Sequence, residues 1–103
     1  MRLTPEQKVA IRSQVSRIYG PDAQVRLFGS RVNDSARGGD FDFYIETRLA
    51  DPERLVDARI ELLAALHALP CFEDEKIDLV VRSPLHVDER PIDVVAREAG
   101  VVL

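Results

Sequence analysis

Residues 40–46 read Asp-Phe-Asp-Phe-Tyr-Ile-Glu, and this strict alternation constrains the fold more than any other stretch of the chain. Side chains along a strand point to opposite faces with a period of two. Phe41, Phe43 and Ile45 therefore need a core, while Asp40, Asp42, Tyr44 and Glu46 face the other way. A helix would scatter the same residues around its circumference. The segment predicts a half-covered strand with two acids at one end of its open face. Helices must supply the apolar layer on the side of the phenylalanines.

The neighbouring segments supply that layer. Thr4-Pro5-Glu6-Gln7 has a capping residue, proline at the first helical position and glutamine placed to close a capping box. Ile11, Val15, Ile18 and Tyr19 share a face of the helix this predicts, and Gly20-Pro21-Asp22 stops it. Residues 23–28 form a short strand with Val25 and Leu27 on one side, running directly into Gly29-Ser30. The polar stretch 31–39 has room for one or two helical turns before a glycine-rich connection. Asp51-Pro52-Glu53 opens the longest helix, which ends near Leu69-Pro70 and carries a broad arc of Leu55, Val56, Ile60, Leu62, Leu63, Leu66 and Leu69. Arg59 falls within that arc and needs a partner or a route to solvent. Residues 76–81 predict another strand, with Ile77, Leu79 and Val81 on one face and Asp78 on the other. Residues 91–99 suit a last helix with Gly100 as a left-handed terminator, and Val101-Val102-Leu103 suits an edge strand. The expectation is an α+β fold: a small mixed β-sheet with helices packed on one face, and a single domain spanning 1–103.

Composition narrows the function. With 103 residues, 46% of them hydrophobic, a single core is the natural outcome. It should bury roughly two-thirds of the extended-chain surface. A net charge of −4 and a pI of about 5.1 exclude a broad nucleic-acid footprint. A basic protein partner fits better. No apolar run reaches membrane-spanning length, Met1-Arg2-Leu3-Thr4 lacks a signal-peptide core, and Cys71 is the only cysteine. A reduced, cytoplasmic setting is the expectation, with Cys71 as an ordinary half-buried thiol.

Two aspartates one residue apart on a strand lie roughly 6–7 Å apart at Cα and point the same way. Their mutual repulsion is roughly 3 kcal/mol at an effective dielectric near 20. A hard cation removes that cost, and Mg²⁺ favours a few carboxylates completed by water and phosphate. If the strand carrying Asp78 is a neighbour, three carboxylates can bracket two ions. Gly29 lets backbone approach phosphate, and Ser30 adds a hydroxyl and N–H donors. Glu46, two residue pairs further along, and Tyr44 read as a solvated acid and a structural aromatic.

Leu27-Phe28-Gly29-Ser30-Arg31, followed by Gly39-Asp40-Phe41-Asp42-Phe43, resembles the signature of the DNA polymerase β-like nucleotidyltransferase superfamily. With Gly38 before Gly39, it is similar to the minimal nucleotidyltransferase branch, the antitoxin half of HEPN/minimal-nucleotidyltransferase toxin-antitoxin pairs. The resemblance implies the polymerase β-like fold, with Gly29, Ser30 and Arg31 at the nucleotide phosphates. It implies Asp40, Asp42 and Asp78 as the catalytic carboxylates, with Asp40 and Asp42 as ligands of Mg²⁺, two ions in all, and Asp78 as a further ligand or the base for the attacking hydroxyl. It further implies transfer of AMP from ATP to a tyrosine of a cognate HEPN ribonuclease, which would be the protein partner. The alternative is a non-catalytic antitoxin that neutralises its partner by occlusion. The phenylalanines at 41 and 43 stand where the family more often has smaller aliphatic residues. The chain reads as the catalytic half of a pair whose acceptor comes from another protein.

Overall fold

A computed structural model describes residues 2–33 and 39–103. Helix α1 (Pro5–Tyr19) is followed by strand β1 (Gln24–Phe28), a single 3-10 turn (Gly29–Val32) and strand β2 (Phe41–Glu46). Helix α2 (Pro52–His67), strand β3 (Ile77–Arg82), helix α3 (Pro91–Ala99) and the two-residue strand β4 (Val101–Val102) complete the order. The expected polar stretch thus begins with that 3-10 turn, and residues 34–38 lie outside the described residues.

Local chemistry fixes most boundaries. The Gln7 amide N–H donates to the Thr4 hydroxyl at 3.1 Å while the Thr4 N–H donates to the Gln7 side chain at 3.0 Å, closing the capping box. Asp51 caps α2 by accepting from the Glu53 N–H at 3.0 Å. Gly100 ends α3 in an extended conformation at φ −83°, not the left-handed one expected. Its N–H still satisfies Ala96 O at 2.9 Å. A side chain there would collide with that same carbonyl.

The sheet order is β3-β2-β1-β4. β1 runs antiparallel to both β2 and β4, and β2 runs parallel to β3 through the α2 crossover, so the sheet is mixed. Phe41, Phe43 and Ile45 of β2 are fully buried, as are Leu27 of β1 and Ile11, Leu62 and Leu66 of the two long helices. These residues form one core on the face that α1 and α2 cover. Phe72, in the turn after α2, meets Phe41 edge-on at 5.2 Å and Phe43 at 6.1 Å. That contact gives the two large aromatics on β2 a partner of matching size.

The layer of α1 and α2 stands on one face, as the alternation demands. Helix α3 adds to this from the opposite side, where Ala96 and Ile92 pack on Phe28, Tyr44 and Val80. The sheet is therefore half covered on its acid-bearing face. Helix α2 also buries a narrower stripe than its apolar arc implies, because it shares the sheet with α1. Ala58, Leu62 and Leu66 are buried, whereas Val56 and Ile60 are exposed. Arg59 reaches out of the stripe to donate to Leu79 O, and Arg90 donates to Val81 O at 2.9 Å. Both carbonyls belong to the edge strand β3, so the two arginines close an edge that would otherwise invite strand addition.

Candidate active site

Parallel pairing of β2 with β3 sets Asp42 directly opposite Asp78. Adjacent strands lie about 4.8 Å apart, so the two carboxylates leave the same face as neighbours. Two residues earlier in the register, Asp40 stands across from Lys76, and the Phe41 N–H donates to Lys76 O at 2.9 Å. The Lys76 ammonium lies 3.5 Å from Asp40 Oδ2. Four chemically active side chains thus occupy the corners of one square: Asp40, Asp42, Asp78 and Lys76. They sit at the end of the face that α3 leaves uncovered.

The glycine turn abuts this square. Gly29 has φ +77°, a region few other residues adopt, and a Cβ there would fall on the Asp42 carboxylate. Ser30 is exposed, and its hydroxyl packs where a Cβ on Gly39 would stand; Gly39 has φ +91°. The two glycines therefore let the Gly29-Ser30 backbone close against the start of β2. Arg2 braces the turn from outside, donating to Ser30 O at 3.1 Å and Asn33 O at 3.3 Å.

Arg31 goes elsewhere. Its guanidinium lies 4.0 Å from the centroid of the Phe41 ring and 3.6 Å from Glu75, on the helix-covered side of the sheet. Of the six residues picked out by sequence, the structure gathers Gly29, Ser30, Asp40, Asp42 and Asp78 and leaves Arg31 outside the group. Glu46 pairs with Arg26 at the far end of β2. Tyr44 is fully buried beneath α3 and donates to Asp93 at 2.7 Å, the structural role expected of it. His67 is exposed and its Nε2 meets Glu75 O at 2.9 Å.

Sequence reasoning missed Lys76 and the buried Asp93. The signal for Lys76 was present: it precedes Asp78 by two residues as Asp40 precedes Asp42, so parallel register must bring the pairs together. Asp93 accepts from Tyr44, from Arg82 at 2.7 Å and from Arg90 at 3.0 Å while fully buried. No spacing rule announced that network.

The electrostatics of the square favour a cation. Burial pushes the Asp42 carboxyl above its usual range, the negative charges of Asp78 and Asp40 push it further, and Lys76 opposes the shift. Among the described residues no group of three or more Asp, Glu, His or Cys side chains is arranged so that it could by itself hold a metal ion. The donor set is nevertheless the hard, all-oxygen kind that holds Mg²⁺ with waters and phosphates as the remaining ligands, and Gly29 puts no side chain against it. Asp42 and Asp78, neighbours in register, are the carboxylate pair whose chemistry suits such an ion, with Asp40 on the same face and water and phosphate left to complete it.

A mixed sheet that presents carboxylates from two parallel strands beside a glycine turn defines a class of domain made for phosphate-ester chemistry. Residues 9–99 match the nucleotidyltransferase domain family, and the chain belongs to it. Domains of this kind work on nucleoside triphosphates with a divalent metal, so nucleotidyl transfer is the activity that fold and family define. Among curated proteins none matches the chain. Among the described residues no helix is long and apolar enough to cross a membrane.

Proposed function

We propose that the protein is a Mg²⁺-dependent nucleotidyltransferase that moves AMP from ATP to a tyrosine hydroxyl of a cognate HEPN-type ribonuclease, acting as that toxin's antitoxin. The observation that carries the catalytic part is the register pairing of Asp42 with Asp78 beside Gly29. The identity of donor, acceptor and partner rests on the likeness of Gly29-Ser30-Arg31 and Gly38-Gly39-Asp40 to minimal nucleotidyltransferases.

In the transfer, the acceptor oxygen attacks the α-phosphorus of ATP and the bond from that phosphorus to the bridging oxygen of the β-phosphate breaks. Pyrophosphate leaves with the bond's electron pair. The acceptor's proton passes to a carboxylate, and Asp78 suits this role because it is the most exposed of the three carboxylates. Asp40 and Asp42, with Asp78 as their neighbour, would hold the metal, which when bound offsets charge on the phosphates. The Gly29-Ser30 turn orients the phosphates through backbone N–H groups and the Ser30 hydroxyl. The open end of the sheet face leaves room for an acceptor carried by another protein.

The test incubates the protein with α-labelled ATP, Mg²⁺ and the co-expressed HEPN protein. Wild type should label the partner on tyrosine, and Asp40→Ala/Asp42→Ala should lower the rate by about 10² or more, the loss of several kcal/mol of transition-state stabilisation. Equal labelling by the double variant sinks the catalytic reading. Full neutralisation by the variant without labelling would establish the occlusion alternative in its place.

A further inference from the structure

Lys76 is the one corner of the square that the transfer chemistry leaves unused. Its backbone is pinned beside the Asp40–Phe41 junction by the 2.9 Å bond from the Phe41 N–H to Lys76 O. Its side chain is 75% exposed, and among the described residues the ammonium's ion pair is the 3.5 Å one to Asp40 Oδ2, with the Asp42 charge nearby. An exposed pair of this kind is worth only ~0–1 kcal/mol, weak enough to be exchanged. The charge at the corners is three negative and one positive, so the square holds a net two negative charges and not three. A cation that takes Asp40 must displace the ammonium and then sit within a few ångströms of it.

We propose that Lys76 is a tethered counter-ion that occupies Asp40 until a divalent cation displaces it, and that the displaced ammonium then takes the polyphosphate of the incoming nucleotide. The inference rests on the metal reading of Asp40, Asp42 and Asp78 given above. Its consequence is coupling. Without nucleotide, Lys76 competes with the ion and lowers its affinity. With nucleotide, the ammonium finds a phosphate in place of the carboxylate, and the competition ends. Lys76 is thus a positioning residue that ties metal occupancy to the presence of substrate. An ammonium is suited to this, being a compact charge on a flexible stem with no fixed fork to orient.

The experiment measures Mn²⁺ affinity by calorimetry and by the loss of the free-ion electron paramagnetic resonance signal, alone and with α,β-methylene ATP. Wild type, Lys76→Gln and Lys76→Arg are compared, with folding checked by circular dichroism. Lys76→Gln should bind Mn²⁺ alone about 3- to 10-fold more tightly than wild type, the scale of removing one positive charge about 6 Å from a divalent ion in a water-like dielectric. The nucleotide should tighten Mn²⁺ binding in wild type and do so by a smaller factor in Lys76→Gln. Lys76→Arg, which keeps the charge, should bind Mn²⁺ alone as wild type does. Equal Mn²⁺ affinity in wild type and Lys76→Gln would overturn the inference while leaving the metal site standing. Tighter Mn²⁺ binding with unchanged nucleotide coupling would overturn the transfer of the ammonium to phosphate. A wild type that binds no Mn²⁺ would overturn the metal reading and this inference with it.

Discussion

At the scale of single residues the site is governed by how closely backbone can approach a carboxylate. Gly29 combines φ +77° with a position where a Cβ would land on Asp42. Gly29→Ala therefore imposes backbone strain and a steric clash on the same atom pair. A loss of ~1–3 kcal/mol of stability is expected from the strained conformation, measured as a lowered urea midpoint at unchanged slope. Nucleotide binding should fall further than stability alone explains, because Asp42 must turn away. Gly20→Ala is the control: Gly20 also has positive φ, at 110°, but open space where a Cβ would stand. It should cost stability and leave nucleotide binding intact. The residues of the square were legible in sequence wherever a period of two applied. Asp40, Asp42 and Asp78 all follow from alternation. Arg31 did not, because a 3-10 turn has no fixed facing that spacing can predict, and here it rotates the guanidinium onto Phe41. Lys76 was obscured by its exposure: a lysine before a strand reads as a solubilising charge until the register is known.

At the scale of elements, capping chemistry and apolar periodicity located α1, α2 and α3, and alternation located β2 and β3, to within a residue or two. The placement of α3 was not legible, because beside its small apolar contact it is docked by a buried polar network that no spacing rule marks. Asp93 sits at the third position of α3, accepts from the Arg90 backbone N–H at 2.7 Å, and joins Arg82 of β3 and Tyr44 of β2 to the helix. Hydrogen bonds from Arg90, with Tyr44 and the Arg90 charge, hold its carboxyl far below the ordinary range against the opposing effect of burial. Burial and the bond to Asp93 push the Tyr44 hydroxyl up to about 12. A carboxyl depressed in the folded state contributes stability that is fully present above its unfolded value of about 3.9. That contribution is lost as pH falls from about 4 downward. Wild type should therefore lose stability steeply below pH 4, read from urea midpoints across pH. Asp93→Ala should start about 3 kcal/mol less stable at neutral pH, because Arg82 and Arg90 lose their shared partner, and should show a flatter acid limb. If the two curves run parallel below pH 4, Asp93 is not the group that titrates.

At the scale of the whole molecule, the same sheet face serves two ends. Helix α3 covers Phe28, Tyr44 and Val80, and the remaining end carries the square of charged side chains. Covering the whole face would exclude substrate, and leaving it bare would expose Tyr44 and Phe28 to water. The division places repelling carboxylates at the open margin, where Asp42 is pushed toward its neutral form by burial, Asp78 and Asp40. A carboxyl whose folded value is raised costs stability as pH climbs from its unfolded value to its folded one, and the cost stays in full above that, so the unliganded domain carries it at neutral pH. Ligands that bind only the folded state repay it by mass action, adding about 2.7 kcal/mol at a hundred times the dissociation constant. For a domain near this length that is roughly 10 °C or more in Tm. Thermal unfolding with Mg²⁺ and α,β-methylene ATP together should show a shift of that order in wild type at pH 7.5. Asp42→Asn should unfold at a higher temperature than wild type without ligand, because the repulsion is gone, and should lose most of the ligand-induced shift. A variant that is less stable without ligand yet still shifts fully would separate Asp42 from the binding site and make its burial a matter of packing alone.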